Sequence, residues 1–256
     1  EVIQDTIEGS DYSLRVHYLD EDADEVKEAV RMCREHKPMG ILFLGGNIQY
    51  FHEEFELVNV PCVLVTDRAD KLGFRNLASV STDDMAAAEM AVDYLFDHGH
   101  RDIAVIGGDM ALSSPSKYRK AGAKRSFIKH GCEFEEESYA VARFSYESAY
   151  NAMNRMLASK RSITAVFAMS DVMAVGAMRA IFDAGLRVPE DISVIGFDGT
   201  LLADYYNPKI VTVCQGYEKI ARKSIDLLFG MIDLNKPATH ELVPFSLKNT
   251  ESVSSI

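Results

Sequence analysis

No apolar run in this 256-residue chain approaches the roughly 18 residues needed to cross a bilayer. The opening stretch, EVIQDTIEGSDYSL, is acidic and mixed, unlike a secretory leader or a transit peptide. Basic residues are in deficit: 27 Lys and Arg face 39 Asp and Glu, a net charge of −12. A compact acidic domain repels a phosphate backbone, so the chain by itself is expected to bind nucleic acid poorly, and the charge to serve solubility. Only four cysteines occur, Cys33, Cys62, Cys132 and Cys214, and no two form a C-x-x-C pair. That spacing points to buried thiols in a reducing cytoplasm rather than to disulfides or zinc. Also missing are the nucleophile elbow G-x-S-x-G, the phosphate loop G-x-x-x-x-G-K-[ST] and the dinucleotide fingerprint G-x-G-x-x-G. No enzyme activity, cofactor, metal or membrane contact is therefore expected. His98-Gly-His100 resembles half a metal site, but His98 falls where a helix C-terminus favours a cation. Asp83-Asp84 reads as helix capping.

Strands and helices alternate along the chain. The periodicity predicts helices over 24–36, 84–98, 116–130, 145–159, 170–184 and 217–232. Three of them stop at a glycine, Gly99, Gly131 and Gly185. Buried, β-branched runs predict strands over 40–44, 61–65, 102–106, 138–142, 163–168, 191–197 and 210–214. A last strand is expected over 242–247, at an edge because of Pro244. Repeated β-α-β units imply parallel sheets with helices on both faces, and this length suits two such sheets.

Ligands of open parallel sheets bind beyond the carboxyl ends of the strands. In the second half those ends carry Gly107-Gly108-Asp109, Arg143-Phe144, Ser170-Asp171 and Asp198, with Arg119 on the helix after Gly108. Together they offer a flat apolar face, a rigid fork of donors, a hydroxyl and acceptors. That set suits a neutral polyhydroxylated or heterocyclic ligand. Each residue also has a plainer role open to it. Asp198 can be a turn former, Ser170 a helix cap, Phe144 core, and Arg119 half of a surface ion pair.

The stretches SDVMAVGAMRAIFDAGLR and VPEDISVIGFD closely resemble the signature of lactose-repressor-type (LacI/GalR) transcriptional regulators. STDDMAAAEMAVDYLFDHGHRDIAVIGG, YRKAG, RFSYESAYNAM and NPKIVTVCQGYEKIARKSIDLL are similar to further segments of that family, with Ala149 where a glycine is usual. The resemblance spans residues 14–250. It implies two Rossmann-like subdomains of the type I periplasmic-binding-protein kind, joined by three crossovers. The expected boundaries are 1–100 with 215–240, and 101–214 with 241–256. It implies that Arg119 and Asp198 take the effector's polar groups and Phe144 packs on it. Ser170 with Asp171 would lie at the pocket, and Gln215 and Tyr217 at the return crossover.

The family's helix-turn-helix and its first strand are not recognisable here. The chain is thus expected to be the ligand-sensing part of a cytoplasmic regulator, with a sugar or sugar derivative as effector. Operator DNA would be contacted only through a separate helix-turn-helix, and a homodimer is expected to match two-fold operators. The first rival is a periplasmic or extracellular sugar-binding protein for uptake. The second is an enzyme on a doubly wound fold.

Overall fold

The computed structural model describes residues 2–20, 23–159 and 161–256. The chain divides into two compact units, Glu1–Thr82 with Leu112–Ser114 and Gly216–Val243, and Asp83–Ala111 with Pro115–Gln215 and Pro244–Ile256.

The first unit holds α1 (Val2–Glu8), α2 (Glu25–His36), β1 (Ile41–Leu44), β2 (Cys62–Val65), β3 (Leu77–Ser81), α8 (Tyr217–Asp233) and β9 (His240–Leu242). Its sheet runs β1-β2-β3-β9, all parallel. Asp24 caps α2 by accepting from Val26 N and Lys27 N, while Lys37 ends it in a left-handed conformation before Pro38. One face of the sheet packs on Phe43, Phe51, Phe55 and Val26, the other on Ile220, Leu228 and Met231 of α8. Among the described residues no strand precedes Ile41.

The second unit holds α3 (Asp84–Asp97), β4 (Ile103–Gly107), α4 (Ser114–Lys129), β5 (Tyr139–Val141), α5 (Tyr146–Ala158), β6 (Ala165–Ala168), α6 (Asp171–Asp183), β7 (Ser193–Asp198), α7 (Leu201–Tyr205), β8 (Val211–Cys214) and β10 (Ser246–Lys248). Strand order is β10-β8-β7-β6-β4-β5, parallel except for β10 against β8. The central strands are buried along their length, which is why they read as continuous apolar runs.

Three expectations change. The boundary falls at Thr82/Asp83, not at residue 100, because α3 packs on β8 and β10 of the second unit. The single strand expected over 242–247 is two, β9 and β10, belonging to different sheets. Pro244 lies in the break, where it cannot donate to either ladder. The helix expected from residue 116 starts at Ser114, so Ser116 is not its cap. It lies inside α4, and its Oγ accepts from Gly108 N at 3.1 Å. All four cysteines are free thiols.

Candidate functional site

The strand ends of the second unit form a rim ordered by the sheet. Gly107 ends β4, Ala168 ends β6, Asp198 ends β7 and Cys214 ends β8. Neighbouring strands stand about 4.8 Å apart, so Phe144, over the end of β4, lies roughly 10 Å along the rim from β7. That is the span of one or two sugar rings.

Gly122 on α4 lets Arg119 reach this rim. A Cβ there would collide with the Met85 carbonyl of α3, so only glycine allows the two helices to lie this close. Arg119 sits one turn earlier on the same helix face. Its Nε donates to Asp84 Oδ1 at 2.7 Å, and its Nη1 donates to the Met169 carbonyl at 2.6 Å. The guanidinium lies 3.8 Å from the centre of the Phe197 ring. Both ion-pair side chains are buried, at 5% and 6% exposure. Asp84 was expected only as a capping acid. Asp83 is the cap, accepting from Ala86 N, and Asp84 is the partner of Arg119. Burial pushes the Asp84 carboxyl upward, and the guanidinium opposes it.

Asp198 holds the centre of the rim. Its Oδ1 accepts from Gln215 Nε2 at 2.7 Å and lies 3.9 Å from Arg119 Nη1, an ion pair without a hydrogen bond. Among the described residues its Oδ2 takes no protein hydrogen bond. Burial raises its pKa to about 7, against the pull of Arg119; Asp171 and Asp84 add to the rise and Gln215 opposes it. The side chain is still 31% exposed, so water can reach it and limits the size of that shift.

Phe144, 36% exposed, stands over Gly108, where a Cβ would strike its ring. Ser170 is buried and caps α6, accepting from Met173 N at 3.1 Å. Asp171 departs from expectation: it is fully enclosed, and both oxygens are used inside the protein. It supports the rim from beneath. Tyr217, 47% exposed, opens α8 in the first unit. The His98-His100 pair is held by hydrogen bonds inside the second unit. His98 Nδ1 bonds the Tyr94 carbonyl, while His100 is buried between Thr164 Oγ1 and the Ser254 carbonyl.

The model of a periplasmic-binding-protein-like domain matches residues 92–253. The regulator MalR of Clostridium butyricum is 32% identical over this whole chain and 77% of its own length. The chain belongs to the LacI-type family of transcriptional regulators. A solved protein from Actinobacillus succinogenes is 27% identical to this LacI-type chain, with a TM-score of 0.88 over 98% of this chain and 92% of the other. The regulator CelR, solved with cellobiose, is 26% identical, with a TM-score of 0.79 over 89% and 70% of the two chains. The type I fold and the regulator reading hold, and the uptake-protein alternative gives way. No helix among the described residues is long and apolar enough to cross a membrane.

Proposed function

We propose that this LacI-type chain senses a neutral polyhydroxylated effector, a sugar or sugar derivative, at the rim made by Arg119, Phe144, Ser170, Asp198 and Gln215. The open Oδ2 of Asp198 carries the reading: it is an acceptor that no protein donor among the described residues takes, beside an Oδ1 held by Gln215. A ligand hydroxyl supplies that donor, and Phe144 offers the apolar face of a sugar ring a flat surface. The cellobiose held by CelR is consistent with this class. Asp84 and Asp198 flank the guanidinium of Arg119, and Asp171 adds negative charge near Asp198, so a phosphorylated or carboxylated ligand is disfavoured here.

Effector binding shifts the population between two arrangements of the chain, and operator affinity follows in a DNA-binding segment outside it. The net charge of −12 accords with DNA contact being made elsewhere. The site of action is the cytoplasm, and the assembly is a homodimer. Support for the dimer comes from an aromatic surface of the second unit, where Tyr146 is 50% and Tyr205 86% exposed beside Tyr150, Val175 and Tyr206.

Calorimetric titration with D-glucose, D-ribose, maltose, cellobiose, glucose 6-phosphate and adenine tests the proposal. Binding of an uncharged saccharide, lost in Asp198→Asn, supports it. Binding of glucose 6-phosphate or adenine alone, or of nothing below millimolar concentration, rejects it.

A further inference from the structure

The backbone of Asp198 is bent in a way its side chain disfavours. Its φ is +109°, and Gly199 follows at +72°. A side chain at positive φ persists only where the surroundings hold it. Three successive backbone groups are held here. The Asp198 carbonyl accepts from Gln215 N at 3.3 Å, and Gly199 N donates to Thr212 Oγ1 at 3.3 Å. Thr200 N donates to Asp171 Oδ2 at 2.7 Å.

Asp171 gathers this turn. Its Oδ2 also accepts from Thr200 Oγ1 at 2.8 Å, and its Oδ1 accepts from Thr212 Oγ1 at 2.6 Å. The Thr212 hydroxyl thus passes the grip of Asp171 on to Gly199. Gly196 leaves the space that Asp171 Oδ1 fills, since a Cβ there would meet it. A plainer role for Asp171 is to satisfy the start of α6. Ser170 already caps that helix, however, and both Asp171 oxygens are spent on the turn and on β8. Burial raises the Asp171 carboxyl and the three donors oppose it. No ion pair compensates this acid among the described residues, so the site bears a desolvation cost that an apolar residue would avoid.

We propose that Asp171 is a positioning residue. Through Thr200 and Thr212 it holds Asp198 in the strained turn that leaves Oδ2 open for the effector. Release of the turn lets Asp198 relax to ordinary extended φ, which redirects its Cβ and takes the carboxylate off the rim. The effector half of this inference rests on the site reading above, while the backbone half stands alone.

The test compares Thr212→Val with Thr212→Ser. Valine keeps the shape and removes the hydroxyl, whereas serine keeps the hydroxyl. NMR three-bond couplings and Cα shifts of Asp198 report its φ in the unliganded protein. Calorimetry with D-glucose, D-ribose, maltose and cellobiose reports affinity. The expected result is loss of positive φ and at least a tenfold loss of saccharide affinity in Thr212→Val, with both retained in Thr212→Ser. Unchanged φ in Thr212→Val overturns the proposal, as does a Thr212→Ser variant that fails alike, because methyl packing would then be the cause. Loss of positive φ in a protein that binds no saccharide upholds the clamp and rejects the effector site. If Thr212→Val does not fold, Thr200→Val removes the Thr200–Asp171 hydroxyl bond and is read in the same way.

Discussion

Arg119 donates through Nε to Asp84, 2.7 Å away, so the guanidinium is fixed before any ligand arrives. Its geometry is set by the first residue of α3 and by the Met169 carbonyl at the end of β6. Such preorganisation lowers the ordering cost of binding.

Removal of one partner of this pair leaves a buried charge alone. Arg119→Ala and Asp84→Ala are each expected to destabilise the second unit by about 3–5 kcal/mol. The double variant Arg119→Met, Asp84→Leu should recover most of that loss, because no charge is then stranded. Urea unfolding of the wild type, Arg119→Met, Asp84→Leu and the double variant, analysed as a double-mutant cycle, measures the coupling. A coupling near zero would mean that water reaches the pair.

Effector affinity should depend on the ionisation of Asp198. A ligand hydroxyl donates best to the carboxylate, and the raised pKa, at most about 7, brings the acid form into play as the pH falls. Affinity should therefore fall from pH 8 to pH 6, by up to about tenfold. Asp198→Asn should flatten that profile. For folding the sign is opposite. The native pKa lies above the unfolded value of 3.8, so between them the folded state holds more protons, and this group's contribution to stability declines as pH rises through that window. Asp84 and Asp171, both raised by burial, act in the same sense. A saccharide affinity that is level across this range would remove Asp198 from the contact set.

Phe144 should matter to the ligand and little to the fold. Its exposure of 36% leaves part of the ring unpacked. Phe144→Ala is expected to weaken saccharide binding about tenfold, and Phe144→Tyr to preserve it. Parallel melting curves should show a change in Tm smaller than that of Arg119→Ala.

The aromatic surface of α5 and α7 predicts self-association. Tyr146→Asp combined with Tyr205→Asp should turn a dimer into a monomer in light scattering, with far-ultraviolet circular dichroism unchanged. A wild-type chain that runs as a monomer at tens of micromolar would remove the dimer from the proposal.

Much of the second unit can be read directly from its sequence, because strands buried on both faces leave unbroken apolar runs such as Val194-Ile195 and Val166-Phe167. Asp198 and Phe144 follow from the rule that strand ends face ligands, whereas Gln215 comes only from the family resemblance. β3 is hidden, because Ala78, Ser79 and Ser81 give its buried strand little apolar signal. The Asp84–Arg119 pair is hidden as well: it joins residues 35 positions apart, and no local spacing encodes that meeting. The split of the last strand turns on which sheet each half joins, which is again a long-range matter. Asp171 and Asp198 look alike in sequence, as single acids after apolar strands. Only the surrounding donors separate the enclosed one from the open one.

β10 returns antiparallel to β8, with Ser246 opposite Cys214. The chain therefore leaves the second unit after Gln215 and re-enters at Pro244 almost where it departed. The segment Gly216–Val243 is a detour whose two ends nearly touch on the second unit. Replaced by a tight two-residue turn, it becomes an ordinary β-hairpin. A single polypeptide from Asp83 to Ile256 so shortened would keep Arg119, Phe144, Asp198 and Gln215 around one sheet, a minimal half of the regulator that can be made and titrated apart from the rest.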